Sequence, residues 1–120
     1  MSWTYNSANG NLSRNGVLVG TGYSGNTSGL NDPGMDDIHN VGPIPTGDWT
    51  IGEFFDDPHL GPVVAPLSPN EGTVTFGRSG FYIHGDNAAM NHSGSDGCIV
   101  LARELRQQIA DSGDTELIVA

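Results

Sequence analysis

At 120 residues the chain fits one domain, burying roughly two-thirds of the surface its unfolded form exposes, and is too short for a second core. Fourteen acidic residues face four arginines and no lysine, a formal net charge of −10. This excludes the clustered cations on which nucleic-acid binding relies and suits solubility or steering toward a basic partner. Eighteen glycines, seven prolines and 36% hydrophobic residues describe short strands and many turns rather than a helical bundle.

Met1 leads into SWTYNSANG with no positive n-region and no apolar h-segment, and no stretch approaches the ~20 apolar residues of a membrane span. The expectation is synthesis in the cytoplasm without a signal peptide, as a single domain over residues 1–120. Trp3 and Tyr5 alternate with polar residues. Asn9-Gly10 and Asn15-Gly16 then punctuate two further extended runs ending at Tyr23. Asn-Gly tolerates the positive φ of a type I′ turn, so the N-terminal part reads as an antiparallel meander.

From Gly25 to Gly47 the composition of Gly, Asn, Asp, Pro and Ser predicts a long structured loop, a feature that is usually functional or mobile. Pro43 and Pro45 stiffen the entry to a strand over Asp48 to Gly52, where Trp49 and Ile51 share a face. Further strands are expected at Val63 to Leu67, Thr73 to Phe76 and Phe81 to His84. Leu101, Leu105 and Ile109 recur every four residues, with Arg103, Arg106, Gln107 and Gln108 on other faces. They predict one helix over about 102–112, which Gly113 can stop in the left-handed conformation. Thr115 to Val119 reads as a closing strand. The fold class is therefore mainly β with long loops and one late helix.

The most informative stretch is residues 81–101, FYIHGDNAAMNHSGSDGCIVL. Cys98 is the one cysteine, so no intrachain disulfide exists and a thiol needs explaining. Most lone cysteines are small buried apolar residues, but this one follows Ser95-Asp96-Gly97, a turn that can bring backbone N–H groups close to an oxyanion. A free thiol with a pKa of about 8.5 is a weak nucleophile near neutrality until a base takes its proton. His84, at the end of an apolar run and followed by Gly85, is the candidate base and later the acid for a leaving amine. Its second nitrogen needs an orienting acceptor, either a backbone carbonyl or Asp86.

The order His-Gly, spacer, Ser-x-Gly-Cys-Ile resembles the catalytic signature of L,D-transpeptidases of the YkuD fold. The whole chain is similar to the small type VI secretion effectors with L,D-transpeptidase and L,D-carboxypeptidase activity. The similarity runs through WTY…NG, GYSG at 22–25, VGPIPTGDWTIG at 41–52, GR at 77–78, FYIHGD at 81–86 and SDGCIVL at 95–101. Asp96 stands where many such enzymes have a second histidine, and Val100 where they often carry Arg or Asn.

The resemblance implies a β-sandwich or barrel with Cys98, His84, Ser95, Gly97 and Asp86 in the catalytic centre and no cofactor. It also implies peptidoglycan tetrapeptide stems as substrate, a cognate immunity protein, a secretion-apparatus carrier and action in the periplasm of a target bacterium. Arg78 and Arg103 suit bidentate recognition of stem carboxylates or structural ion pairs equally. Gly85, Tyr23 and Ser24 are candidates for the substrate groove, with core packing the default for aromatics such as Tyr23 and Trp49.

Competing readings are weaker. A zinc site from His84, His92 and Cys98 matches no standard spacing, and His39, His59 and His92 read as loop residues. Asp32 to Asp37 and Asp56-Asp57 lack the order of a calcium loop. A cysteine amidase or endopeptidase of the NlpC/P60 kind places cysteine before histidine, opposite to the order here. The non-catalytic alternative is a wall-binding or adaptor domain.

Overall fold

The computed structural model describes residues 2–58, 60–85 and 97–120. Within them lie strands β1 (Trp3–Tyr5), β2 (Asn11–Arg14), β3 (Val17–Thr21), β4 (Tyr23–Ser24), β5 (Gly47–Ile51), β6 (Phe55–Asp57), β7 (Gly61–Pro69), β8 (Tyr82–His84), β9 (Ile99–Val100) and β10 (Glu116–Val119). One helix, α1 (Arg103–Ser112), separates β9 from β10.

β1, β2 and β3 form the expected meander. Asn15 and Gly16, at φ 53° and 79°, make the tight turn between β2 and β3 that their small side chains permit. Asn9-Gly10 behaves differently. Residues 6–10 form a wider loop in which Asn6 Oδ1 accepts from Ala8 N and Asn9 Oδ1 accepts from Asn11 N. These local side-chain bonds replace the two-residue turn, and only Gly10 of the pair is left-handed.

The strands share one hydrogen-bonded path, in the order β3-β2-β1-β10-β5-β7-β8-β9-β4, with β6 pairing to β7. The path does not close into a barrel: β3 and β4 lie at its two ends and are joined only along the chain, through Gly22. The long strand β7 joins the two halves, pairing β5 through Leu67–Pro69 and β8 through Ala65 and Pro66.

Alternation along β5 buries Trp49 and Ile51, as the period of two requires. Their partners in the core include Trp3, Ile83, Ile99, Leu105, Ile109 and Leu117. Helix α1 packs Leu105 and Ile109 inward, and Gly113 ends it at φ 71°, the left-handed cap that glycine adopts without a Cβ penalty.

The expected strand over 73–76 is absent. Asp48 N donates to Thr73 Oγ1 and the Thr73 hydroxyl donates to Asp48 O, while Arg78 N closes a turn on Thr75 O. The backbone groups and hydroxyl are thus engaged in loop bonds rather than a ladder, and Val74 and Phe76 stay exposed. Strand β6 is an element that the sequence pattern does not announce.

Tyr5 is fully buried on β1, and its hydroxyl meets no hydrogen-bond partner among the described residues. Burial pushes its phenol well above the ordinary tyrosine value, since the anion would lose its water. The folded state therefore favours the neutral phenol. That stabilisation is complete below about pH 10, where the unfolded phenol is also neutral, and is lost as pH rises further. Tyr5→Phe is expected to match or exceed the parent by up to about 1 kcal/mol in urea denaturation at pH 7. It should also lose less stability above pH 10. A loss of 2 kcal/mol or more at pH 7 would mean that the hydroxyl is engaged.

Candidate active site

β8 and β9 run parallel, with Ile83 opposite Ile99 and His84 opposite Val100. Ile83 and Ile99 both enter the core, so strand alternation sends Tyr82 and His84 from β8, and Cys98 and Val100 from β9 and its approach, to the opposite face. His84 and Cys98 are thereby diagonal neighbours on adjacent strands. Both line one open cleft of about 460 Å³, whose walls also include Arg78, Gly80, Tyr82 and His39.

The Cys98 thiol lies between two backbone groups. Tyr82 N donates to Sγ at 3.3 Å, and the thiol faces Gly80 O at 3.6 Å. The first of these bonds favours a thiolate and the second a protonated sulfur. His84 is 5% exposed and its Nδ1 lies 2.6 Å from Gly85 O. A carbonyl can only accept, so Nδ1 carries the proton in this bond and Nε2 is the basic nitrogen. Among the described residues the orienting acceptor is a backbone carbonyl, that of Gly85. Asp86 and Ser95 lie outside the described residues, as do His59 and His92.

Arg78 is a clamp. It is 6% exposed, and Nη1 donates to Asp36 O and Pro43 O while Nη2 donates to Gly42 O. Its guanidinium also sits 5.2 Å over the Phe81 ring. It thus ties the long loop to the approach of β8. Burial pulls Arg78 below the ordinary arginine value, opposed by the negative charges of Asp36, Cys98 and Asp37. Reciprocally, a cation placed near Cys98 favours its thiolate. Gly97, at φ 124°, has no room for a side chain because a Cβ there would come within 2.3 Å of Arg78 Nη2.

Ser24 is fully buried: its hydroxyl donates to Gly97 O and accepts from Ile44 N. It joins the turn before Cys98 to the long loop rather than lining the cleft. Tyr23 is buried in β4 and pairs with Val100. Arg103 is exposed on the first turn of α1 and lies outside the cleft lining. The buried arginine of the helix is Arg106, which donates to Pro62 O and Val63 O. Its position three residues before Ile109, and so on the same helical face, is the signal that could have located it. His39 is a loop residue as expected, yet it borders the cleft and contacts Phe76 O through Nε2.

Among the described residues no group of three His, Cys, Asp or Glu side chains is placed to hold a metal ion. No helix among them is long and apolar enough to cross a membrane.

These features define a small β-rich domain that presents a thiol and an imidazole to one cleft beneath a clamped loop. The model of the Tlde1 domain matches residues 19–117, and the chain belongs to that family, which is one of type VI secretion effectors. The match contains His84, Cys98 and Arg78. No curated protein matches the chain.

Removing the Ser24 hydroxyl takes one hydrogen bond from the buried Ile44 N–H and one from Gly97 O. Ser24→Ala is expected to cost about 1–3 kcal/mol in urea denaturation and to change the alkylation rate of Cys98, because Gly97 loses its tether. An unchanged midpoint would show that the tether is dispensable.

Proposed function

We propose that the domain is a cysteine-dependent enzyme of the bacterial cell wall, an L,D-carboxypeptidase and L,D-transpeptidase acting on tetrapeptide stems. The observation that carries this reading is the shared face of β8 and β9, which aims Cys98 and His84 into one cleft. The Nδ1 bond to Gly85 O adds to it by leaving Nε2 to work as base. Membership of an effector family and the resemblance of SDGCIVL and FYIHGD to the L,D-transpeptidase signature supply the substrate class.

In this mechanism His84 Nε2 takes the Cys98 proton, and the thiolate attacks the carbonyl of the third stem residue, a diamino acid. A tetrahedral oxyanion forms, for which backbone N–H groups near Gly97 and Cys98 are the donors. Collapse breaks the peptide bond, and the imidazolium gives its proton to the departing amine of D-alanine. The acyl group is left as a Cys98 thioester. Water, deprotonated by His84, then releases the tripeptide carboxylate and restores the thiol. An incoming D-amino acid or second stem amine instead forms a new peptide bond. Arg78 supports the thiolate electrostatically while holding the loop, and no cofactor enters.

As an effector of this kind the protein acts in the periplasm of a neighbouring cell, delivered by a secretion carrier and opposed in its producer by an immunity protein. The test is product mass. Purified protein incubated with tetrapeptide muropeptides is expected to release D-alanine, and Cys98→Ala is expected to lower that release by 10³-fold or more, an order set by loss of a nucleophile. Intact tetrapeptides in both reactions would leave a wall-binding domain, and a cut elsewhere in the stem would favour the amidase.

A further inference from the structure

The helix carries an arginine for which the chemistry above has no use. Arg106 is 7% exposed. Nη1 donates to Pro62 O at 2.7 Å and to Val63 O at 3.2 Å. Val63 has φ 54°, a conformation that a β-branched residue adopts only when its surroundings hold it there. Bonds from a buried cation to both carbonyls provide that hold.

The other side of the same guanidinium meets Gly85. A Cβ built on Gly85 would lie 3.0 Å from Nη2, 3.2 Å from Cζ and 3.3 Å from Nη1 of Arg106. A side chain at 85 would therefore press on the guanidinium, which would have to give by a few tenths of an ångström. Gly85 does not have the positive φ that demands glycine, so close approach accounts for its identity. Arg106, pinned by two carbonyls, has little freedom to retreat. The carbonyl of Gly85 is the group that accepts the hydrogen bond from Nδ1–H of His84.

We propose that Arg106 is a positioning residue for His84: packed in the space left by the absent side chain of Gly85, it fixes the Gly85 peptide, and that peptide selects the Nδ1–H tautomer of the imidazole. The contact runs from α1 through Gly85 to His84, with Pro62 and Val63 of β7 as its anchor. Its effect on turnover rests on the proposed Cys98 chemistry, whereas its effect on the imidazole does not.

The experiment is nitrogen-15 NMR of the full chain labelled at histidine, with His84 assigned by His84→Gln. The parent is expected to show Nδ1 protonated and Nε2 unprotonated at a pH where the ring is neutral. Gly85→Ala, which displaces the guanidinium without removing it, and Arg106→Gln, which removes it, are each expected to produce a mixture of tautomers. The exposed variant Gln107→Ala is expected to match the parent.

In the D-alanine release assay the first two variants are expected to lose about 10–100-fold in kcat, the usual scale for disturbing an orienting partner. KM should change less than about two-fold, since neither Gly85 nor Arg106 lines the cleft. Should Arg106→Gln fail to fold, Gly85→Ala decides by itself. A folded Gly85→Ala protein with the parental tautomer overturns the proposal. A parent that releases no D-alanine while the variants scramble the tautomer supports the positioning role and removes the cell-wall reading.

Discussion

The parallel pairing of β8 with β9 is the constraint on which the remaining structure depends. Ile83 and Ile99 face each other across it and are both buried. Because side chains alternate along a strand, burying those two isoleucines commits their neighbours to the other face. A slip of one residue in either strand would exchange core and cleft, turning an imidazole or a thiol inward. The apolar pair thus sets the register that brings His84 and Cys98 to one side, although neither takes part in the hydrophobic contact.

Around that register, the polar side chains nearest the cleft are spent mainly on backbone. Arg78 holds three carbonyls, of Asp36, Gly42 and Pro43. Ser24 bridges Gly97 and Ile44. A long loop with little regular structure has many backbone groups that no ladder satisfies, and buried ones must find partners. These side chains supply them. A charge-bearing clamp has a second effect here, since its cation stands near the one thiol of a strongly acidic chain.

Local signals in the sequence were legible where they act over a few residues. Asn15-Gly16 makes the turn its chemistry predicts, Gly113 stops α1 in the left-handed conformation, and Trp49 and Ile51 share the buried face of β5. The grouping of His84 with Cys98 was also readable, because each sits beside an apolar anchor in a recognisable pattern.

What escaped is non-local. Residues 73–76 alternate like a strand, yet Thr73 is engaged by Asp48 from a distant segment. Ser24 and Arg78 have the composition of substrate contacts, and their bonds to Gly97, Ile44, Asp36, Gly42 and Pro43 reach segments distant in the chain. Arg106 reads in the sequence as one of several polar residues on faces other than that of Leu101, Leu105 and Ile109. Its acceptors, Pro62 O and Val63 O, belong to a strand that no periodicity in α1 can reveal.

β10 lies between β1 and β5 in the sheet, pairing Leu117 with both Trp3 and Trp49. β10 follows every other described strand in chain order and is yet a middle plank, and the halves on either side of it meet through it. Assembly must wait for contacts between distant parts of the chain, a topology associated with folding in milliseconds to roughly seconds rather than microseconds.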